Sequence, residues 1–233
     1  MGTSKQDLFE AVNACFTSKW NVQLTSSVPE ATDLSLAGPH AKALGIATVL
    51  YADLDGSTDM VNQFEWWFSA GVYKAYLRCA ASIIRSRAGA ITAYDGDRVM
   101  AIFIGQSQCA DAVIAAMQIN CAVHEVIRPT IQQRYPQERF TLRHAVGIDR
   151  SQIRAARIGI RADNDLVWIG RAANYAAKLT SISGPPIRVT GEVIAELPYG
   201  LRVHNGNGMW STHTEPMLAG QTIFSSDYMH TLP

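Results

Sequence analysis

Tyr51-Ala-Asp53-Leu-Asp55-Gly56-Ser57-Thr58 closes the apolar run Ile46-Ala-Thr-Val-Leu-Tyr-Ala52. A short apolar run of this kind reads as a strand buried on both faces. The backbone therefore fixes the direction of the Asp53 carboxylate at its end. Gly-Ser-Thr then opens a helix, whose first N–H groups and positive dipole end attract an anion. A carboxylate for a metal and a helix mouth for a phosphate thus stand side by side. The same residues also fit a plainer reading, in which Asp55-Gly56 is a turn and Ser57 or Thr58 an N-cap. The segment alone does not choose.

Downstream, residues 58–88 read as a long helix rich in aromatic residues, which suit a core or an interface. Ala90–Tyr94 and Arg98–Ile104 flank Asp95-Gly96 as a hairpin, with Asp-Gly the pair favoured in a type I′ turn. Asp97 then lies at an acidic strand end beside that of Asp53. Two such carboxylates can bridge two divalent ions, as nucleotidyl transfer requires. Residues 108–127 read as an apolar helix ending before Pro129. Phe140–Ile148, Ile153–Ile160 and Leu166–Ile169 read as strands, and 171–182 as a helix stopped by Gly184-Pro185-Pro186. On that helix Asn174 and Lys178 are four apart and share a face, either as a catalytic amide and cation or as a solvated surface. Upstream, Leu8, Phe9, Val12 and Phe16 predict an amphipathic helix over 5–20, and 21–45 reads as a connecting loop. The order β-α-β-β-α-β with extra strands predicts an α+β sandwich of the ferredoxin-like sort. The expected division is 1–45 as helix and loop, and 46–233 as the catalytic domain.

Composition narrows the classes. The chain has 233 residues, 48% hydrophobic, with 20 Lys plus Arg against 20 Asp plus Glu. That is enough apolar material for a sizeable core, and the zero net charge gives no basic field for nucleic acid or an anionic membrane. Cys15, Cys79, Cys109 and Cys121 show no metal-ligand spacing and read as buried apolar thiols. No signal peptide is read at the start and no run approaches the length needed to span a bilayer. The expectation is a cytoplasmic protein with reduced thiols.

Together YADLDGST, YDGDRVMAIF, AVGIDRSQIRAARIG and WIGRAANYAAKL resemble the class III nucleotidyl cyclases, in family order and at family-like spacing over about residues 46–182. The resemblance implies a head-to-tail homodimer binding a nucleoside triphosphate and two divalent ions, Mn2+ or Mg2+. Asp53, Asp97 and the Leu54 carbonyl would be the metal ligands, and Asp55, Gly56, Ser57 and Thr58 would cradle the triphosphate. Asn174 falls at the transition-state asparagine. Lys178 replaces the family arginine, keeping the charge without the bidentate fork; Arg150, Arg154 or Arg171 would compensate. Metals come from one chain and Asn174 from the other.

The purine-reading positions of that family are Ala93 and Val167 here, and neither side chain can hydrogen-bond a base edge. Tyr51 stands where phenylalanine is common, on the same strand face as Asp53, and adds bulk and a hydroxyl. This combination resembles the pyrimidine cyclases of bacterial Pycsar anti-phage systems, implying that UTP, or in second place CTP, becomes a cyclic monophosphate read by a separate effector. Two other readings fit parts of the chain. A haloacid-dehalogenase-type phosphatase shares Asp53-Leu-Asp55-Gly56, but lacks the Thr at Ser57 and the later acidic motif. A silent nucleotide-binding cyclase-like domain fits the lost purine pair, but retains both carboxylates. An EF-hand fails for want of its closing Glu.

Overall fold

The computed structural model describes residues 4–160 and 163–232. In chain order they form α1 (Lys5–Thr17), β1 (Asn21–Leu24), β2 (His40–Asp55), α2 (Ser57–Gln63), α3 (Trp66–Ser86), β3 (Ala90–Asp95), β4 (Arg98–Phe103) and α4 (Gln108–Ala122). There follow α5 (Arg128–Arg134), β5 (Arg143–Ile160), β6 (Asp163–Ile169), α6 (Arg171–Thr180), β7 (Ile187–Thr190) and α7 (Gly191–Glu196). The chain ends with β8 (Val203–His204), β9 (Asn207–Gly208), β10 (Ser211–Glu215) and β11 (Gln221–Ser226). Residues 1–45 with 152–170 form one compact unit, and 46–151 with 171–233 another.

In the larger unit the strands run in the order β10-β11-β7-β5-β2-β4-β3, with β7 parallel to β5 and β4 antiparallel to both β2 and β3. One sheet face carries Leu50, Ala52, Leu54, Val99, Ala101, Phe103, Val146 and Ile148 into a core shared with α3 and α4. Alternation sends Tyr51, Asp53, Gly147 and Asp149 to the other face. There α6 lies directly on β5: a Cβ at Gly147 would stand 2.1 Å from the Ala176 carbonyl oxygen, so only glycine admits the helix at this distance. Ala172, Ala173 and Ala176 form its buried stripe, which leaves Asn174 and Lys178 exposed.

In the smaller unit β1 pairs in parallel with the start of β2 (Asn21↔His40 to Leu24↔Ala43). The end of β5 pairs with β6, and Arg157 donates to the Leu34 carbonyl and to Asn164 Oδ1, at 3.0 and 2.7 Å. Helix α1 is capped by Ser4 and buries no residue, so Leu8, Phe9, Val12 and Phe16 are exposed.

Several expectations from sequence are corrected. The 21–45 loop contains β1 and the start of β2. The helix over 58–88 breaks at Phe64-Glu65, where Phe64 turns inward to stack on Phe68 at 5.0 Å and meet Phe140 edge-on at 5.4 Å. Phe140–Ile148 and Ile153–Ile160 form one strand rather than two, starting at Arg143. The 108–127 helix does not stop before Pro129. A π turn over Val123–Ile127, in which the Arg128 N–H reaches back to the Val123 carbonyl, widens the helix so that Pro129 enters α5. The helical stretch Gln108–Arg134 is therefore long and apolar enough to cross a membrane, against the expectation, and most of it is buried inside the fold. Of the thiols only Cys109 and Cys121 are buried; Cys15 is exposed and Cys79 partly so.

Candidate active site

The β2–β4 ladder runs through Tyr51↔Met100 and Ala52↔Val99. Asp53 is the next residue of β2, opposite Arg98 at the start of β4. The β3–β4 turn consists of Gly96 and Asp97, because Asp95 pairs with Arg98. This corrects the expected type I′ turn on Asp-Gly. Only Gly96 has positive φ, at 61°, which is the pattern of a type II′ turn with glycine first. The shift of one residue places Asp97 itself in the turn, immediately beside the end of β2.

The two carboxylates feel one another. Burial pushes the Asp53 carboxyl up from its ordinary value and the charge of Asp97 pushes it further; Arg98, the Thr180 hydroxyl and the Leu54 N–H pull back. The Thr180 hydroxyl lies 3.3 Å from Asp53 Oδ2 and 2.8 Å from the Ala177 carbonyl, and its one proton serves one of them at a time. Like charges held together in a half-buried place are costly. A divalent cation removes that cost, and two carboxylates with the Leu54 carbonyl are the hard oxygen donors that Mg2+ and Mn2+ take. No third acidic, His or Cys side chain completes a cluster among the described residues. An ion held there would keep positions open for water and other oxygen ligands, as Mg2+ prefers.

Gly56, with φ 78°, is the N-cap of α2 and offers no side chain, so the first-turn amides are left without a side-chain acceptor. The carboxylate of Asp55 is instead taken by Arg143 at 3.0 Å, in a pair that is largely exposed on both sides. Neither Arg143 nor Thr180 was marked by any motif; each reaches the site only through strand or helix packing.

On the same sheet face, Tyr51, Met100 and Ala93 form one row across β2, β4 and β3. Burial pushes the Tyr51 phenol up, with Arg98 opposing and Asp95 assisting, so it stays protonated and able to donate. Val167 belongs to the smaller unit, opposite Ala156 on β5.

Asn174 and Lys178 are not brought to Asp53 within the chain. Thr180 touches Asp53 from the last turn of α6. On a helix, Asn174 points about 120° and Lys178 about 160° away from it. The Asn174 side chain makes no hydrogen bond to a described residue, and Lys178 Nζ reaches the Met217 carbonyl at 3.4 Å. Two candidate substitutes for the missing arginine are committed elsewhere. Arg171 grips the fully buried Asp149 with two bonds, at 3.0 and 3.1 Å, and also binds Glu192 at 2.6 Å. Arg150 pairs with Glu196 at 3.1 Å.

No family model matches the chain. It is 58% identical to a uridylate cyclase of Burkholderia cepacia over 205 residues, 88% of this chain and 89% of that one. It is 42% identical to a uridylate cyclase of Xanthomonas perforans over 224 residues, 96% of each. The fold is that of the adenylyl cyclase CyaB from P. aeruginosa, with TM-score 0.68 and 21% identity, covering 83% of this chain and 99% of that one.

Proposed function

The chain belongs to the uridylate cyclase family, on the fold of the class III cyclases, and from that premise we propose that it converts UTP to 3′,5′-cyclic UMP and pyrophosphate. The ribose 3′ oxygen bonds to the α-phosphorus as the bond from that phosphorus to the bridging oxygen of the β-phosphate breaks, and the hydroxyl proton passes to solvent. Asp53 and Asp97, with the Leu54 carbonyl, would hold two divalent ions, Mn2+ or Mg2+. When bound, these lower the pKa of the attacking hydroxyl and neutralise the leaving phosphates. The observation that carries this reading is the charge of Asp97 acting on Asp53 at the end of β2.

The main-chain amides from Asp55 to Thr58 cradle the triphosphate. Tyr51 narrows the base pocket and donates from its phenol. Ala93 and Val167 leave a purine edge without a partner, a discrimination worth about 1–3 kcal/mol for each lost hydrogen bond. Asn174 and Lys178, turned away from Asp53 in their own chain, serve the site of a second copy packed head to tail. Asn174 there orients the ribose and Lys178 supplies charge to the reacting phosphate. UTP is a cytoplasmic metabolite, and the product acts there as a second messenger for a separate effector in anti-phage defence.

The test is an equimolar mixture of UTP, CTP, ATP and GTP with Mn2+, with products resolved by mass. Cyclic UMP should dominate, and Tyr51→Phe should narrow its lead. A dominant cyclic purine, or inorganic phosphate with no cyclic product, overturns the reading.

A further inference from the structure

Strand β1 of the smaller unit pairs with β2 alone among the described residues, so its other edge is open. The Asn21 N–H donates to the Pro39 carbonyl at 2.8 Å and the Thr25 N–H to the Ala43 carbonyl at 3.0 Å. Residues that face a neighbouring strand alternate along a ladder, so Gln23 between them faces β2 as well. Val22 and Leu24 therefore turn both N–H and C=O to the open edge. Their side chains share one face of the strand and are exposed, Leu24 by 88%. An uncharged open edge carrying apolar side chains is a template for another strand. The segment before it shows the same want of cover. Phe16 is 84% exposed, Trp20 is exposed as well, and α1 buries no residue.

The strand suits a copy of itself. A two-fold axis normal to the sheet sets an edge strand antiparallel to its mate. One register pairs all four outward groups, with Val22 opposite Leu24 of the second copy and Leu24 opposite Val22 of the second copy. Each of these pairs exchanges two hydrogen bonds, and the four apolar side chains gather on one face. Gln23 then meets Gln23 of the second copy on the axis, in a non-hydrogen-bonded pair with Cα atoms about 4.5 Å apart. Continued outward, the register sets Asn21 opposite Thr25 and Lys19 opposite Ser27 of the second copy. No like charges face one another across it.

We infer that β1 is a self-pairing edge, which joins two copies of the chain through an antiparallel ladder centred on Gln23. The inference rests on the chemistry of the strand and not on the cyclase reading.

The test places one cysteine at a time at residue 22, 23 or 24 of the full chain, in a Cys15→Ser parent that lacks the exposed native thiol. Under mild oxidation Gln23→Cys should form a disulfide-linked dimer on a non-reducing gel, because its Cα separation falls in the disulfide range. Val22→Cys and Leu24→Cys should link at least about tenfold more slowly, since each lies diagonal to its own mate and beyond about 7 Å. Leu24→Pro removes an outward N–H and leaves the bonds to β2 in place. It should weaken self-association at least about tenfold in sedimentation, the scale of two lost hydrogen bonds per pair of copies. No linkage at residue 23, equal linkage at all three positions, or a Leu24→Pro chain that associates like the native one overturns the pairing. Position-specific linkage in a chain that forms no cyclic nucleotide sinks the cyclase reading and leaves the pairing standing. An active cyclase that does not link at residue 23 does the reverse.

Discussion

Asp53 and Asp149 lie on adjacent central strands and project to the same sheet face, yet their surroundings are opposite. Asp149 is fully buried, gripped by Arg171 through two bonds and reached by the Thr190 hydroxyl. Its charge is matched, and its task is to fix the first turn of α6. Asp53 is only half-buried, receives one shared hydroxyl from Thr180, and stands beside the like charge of Asp97. A fully paired aspartate holds structure together. An aspartate kept near another, with Arg98 only partly offsetting the two charges, marks a place where something else supplies the rest.

The largest expected effect tests that contrast from the acidic side. Asp53→Asn or Asp97→Asn should lower cyclic UMP formation by at least about a thousandfold, the scale of losing metal-borne transition-state stabilisation. Neither should lower the unfolding temperature, because each removes a repulsion. Comparable turnover in either variant breaks the contrast, as does a large loss of stability. From the other side, Arg171→Met strands a buried carboxylate and should cost about 3–5 kcal/mol in denaturant unfolding. A change below about 1 kcal/mol would mean that Asp149 is as tolerant of isolation as Asp53.

A smaller effect concerns a buried ring. Burial, with Arg128, His124 and Arg188 nearby, holds the His144 ring down to about 3 from its ordinary 6.5. Below pH 6.5 the unfolded chain therefore takes up a proton that the fold refuses, and stability falls until the pH nears 3. At pH 5 the loss should be about 2 kcal/mol, and His144→Asn should flatten that slope. An unchanged slope in the variant would move the acid sensitivity to other groups.

The contrast between the two aspartates was only half legible in sequence. The run from Ile46 to Ala52 announces its strand through apolar continuity, and Asp53 at its end is readable from position alone. Asp149 carries no such signal, because its partners Arg171 and Thr190 are distant in sequence and meet it through sheet order. Thr180 and Arg143 were invisible for the same reason. Local chemistry misled in two places. Asp95-Gly96 matches a common turn pair, but strand register moved the turn to Gly96-Asp97. Pro129 is a reliable helix stop only where the preceding turn is α-helical, and here that turn is a π turn. The exposed aspect of Asn174 follows from the alanine stripe of α6, which is readable. That it faces away from Asp53 required knowing that Thr180 touches that carboxylate.

In the proposed homodimer one active centre is divided between two copies, with Asp53 from one and Asn174 from the other. The most direct measurement mixes Asp53→Ala protein with Asn174→Ala protein, each silent alone, and follows cyclic UMP from UTP and Mn2+. Random exchange into dimers with one intact centre should restore about a quarter of the native rate. A mixture as silent as its components, under conditions where subunits exchange, contradicts it.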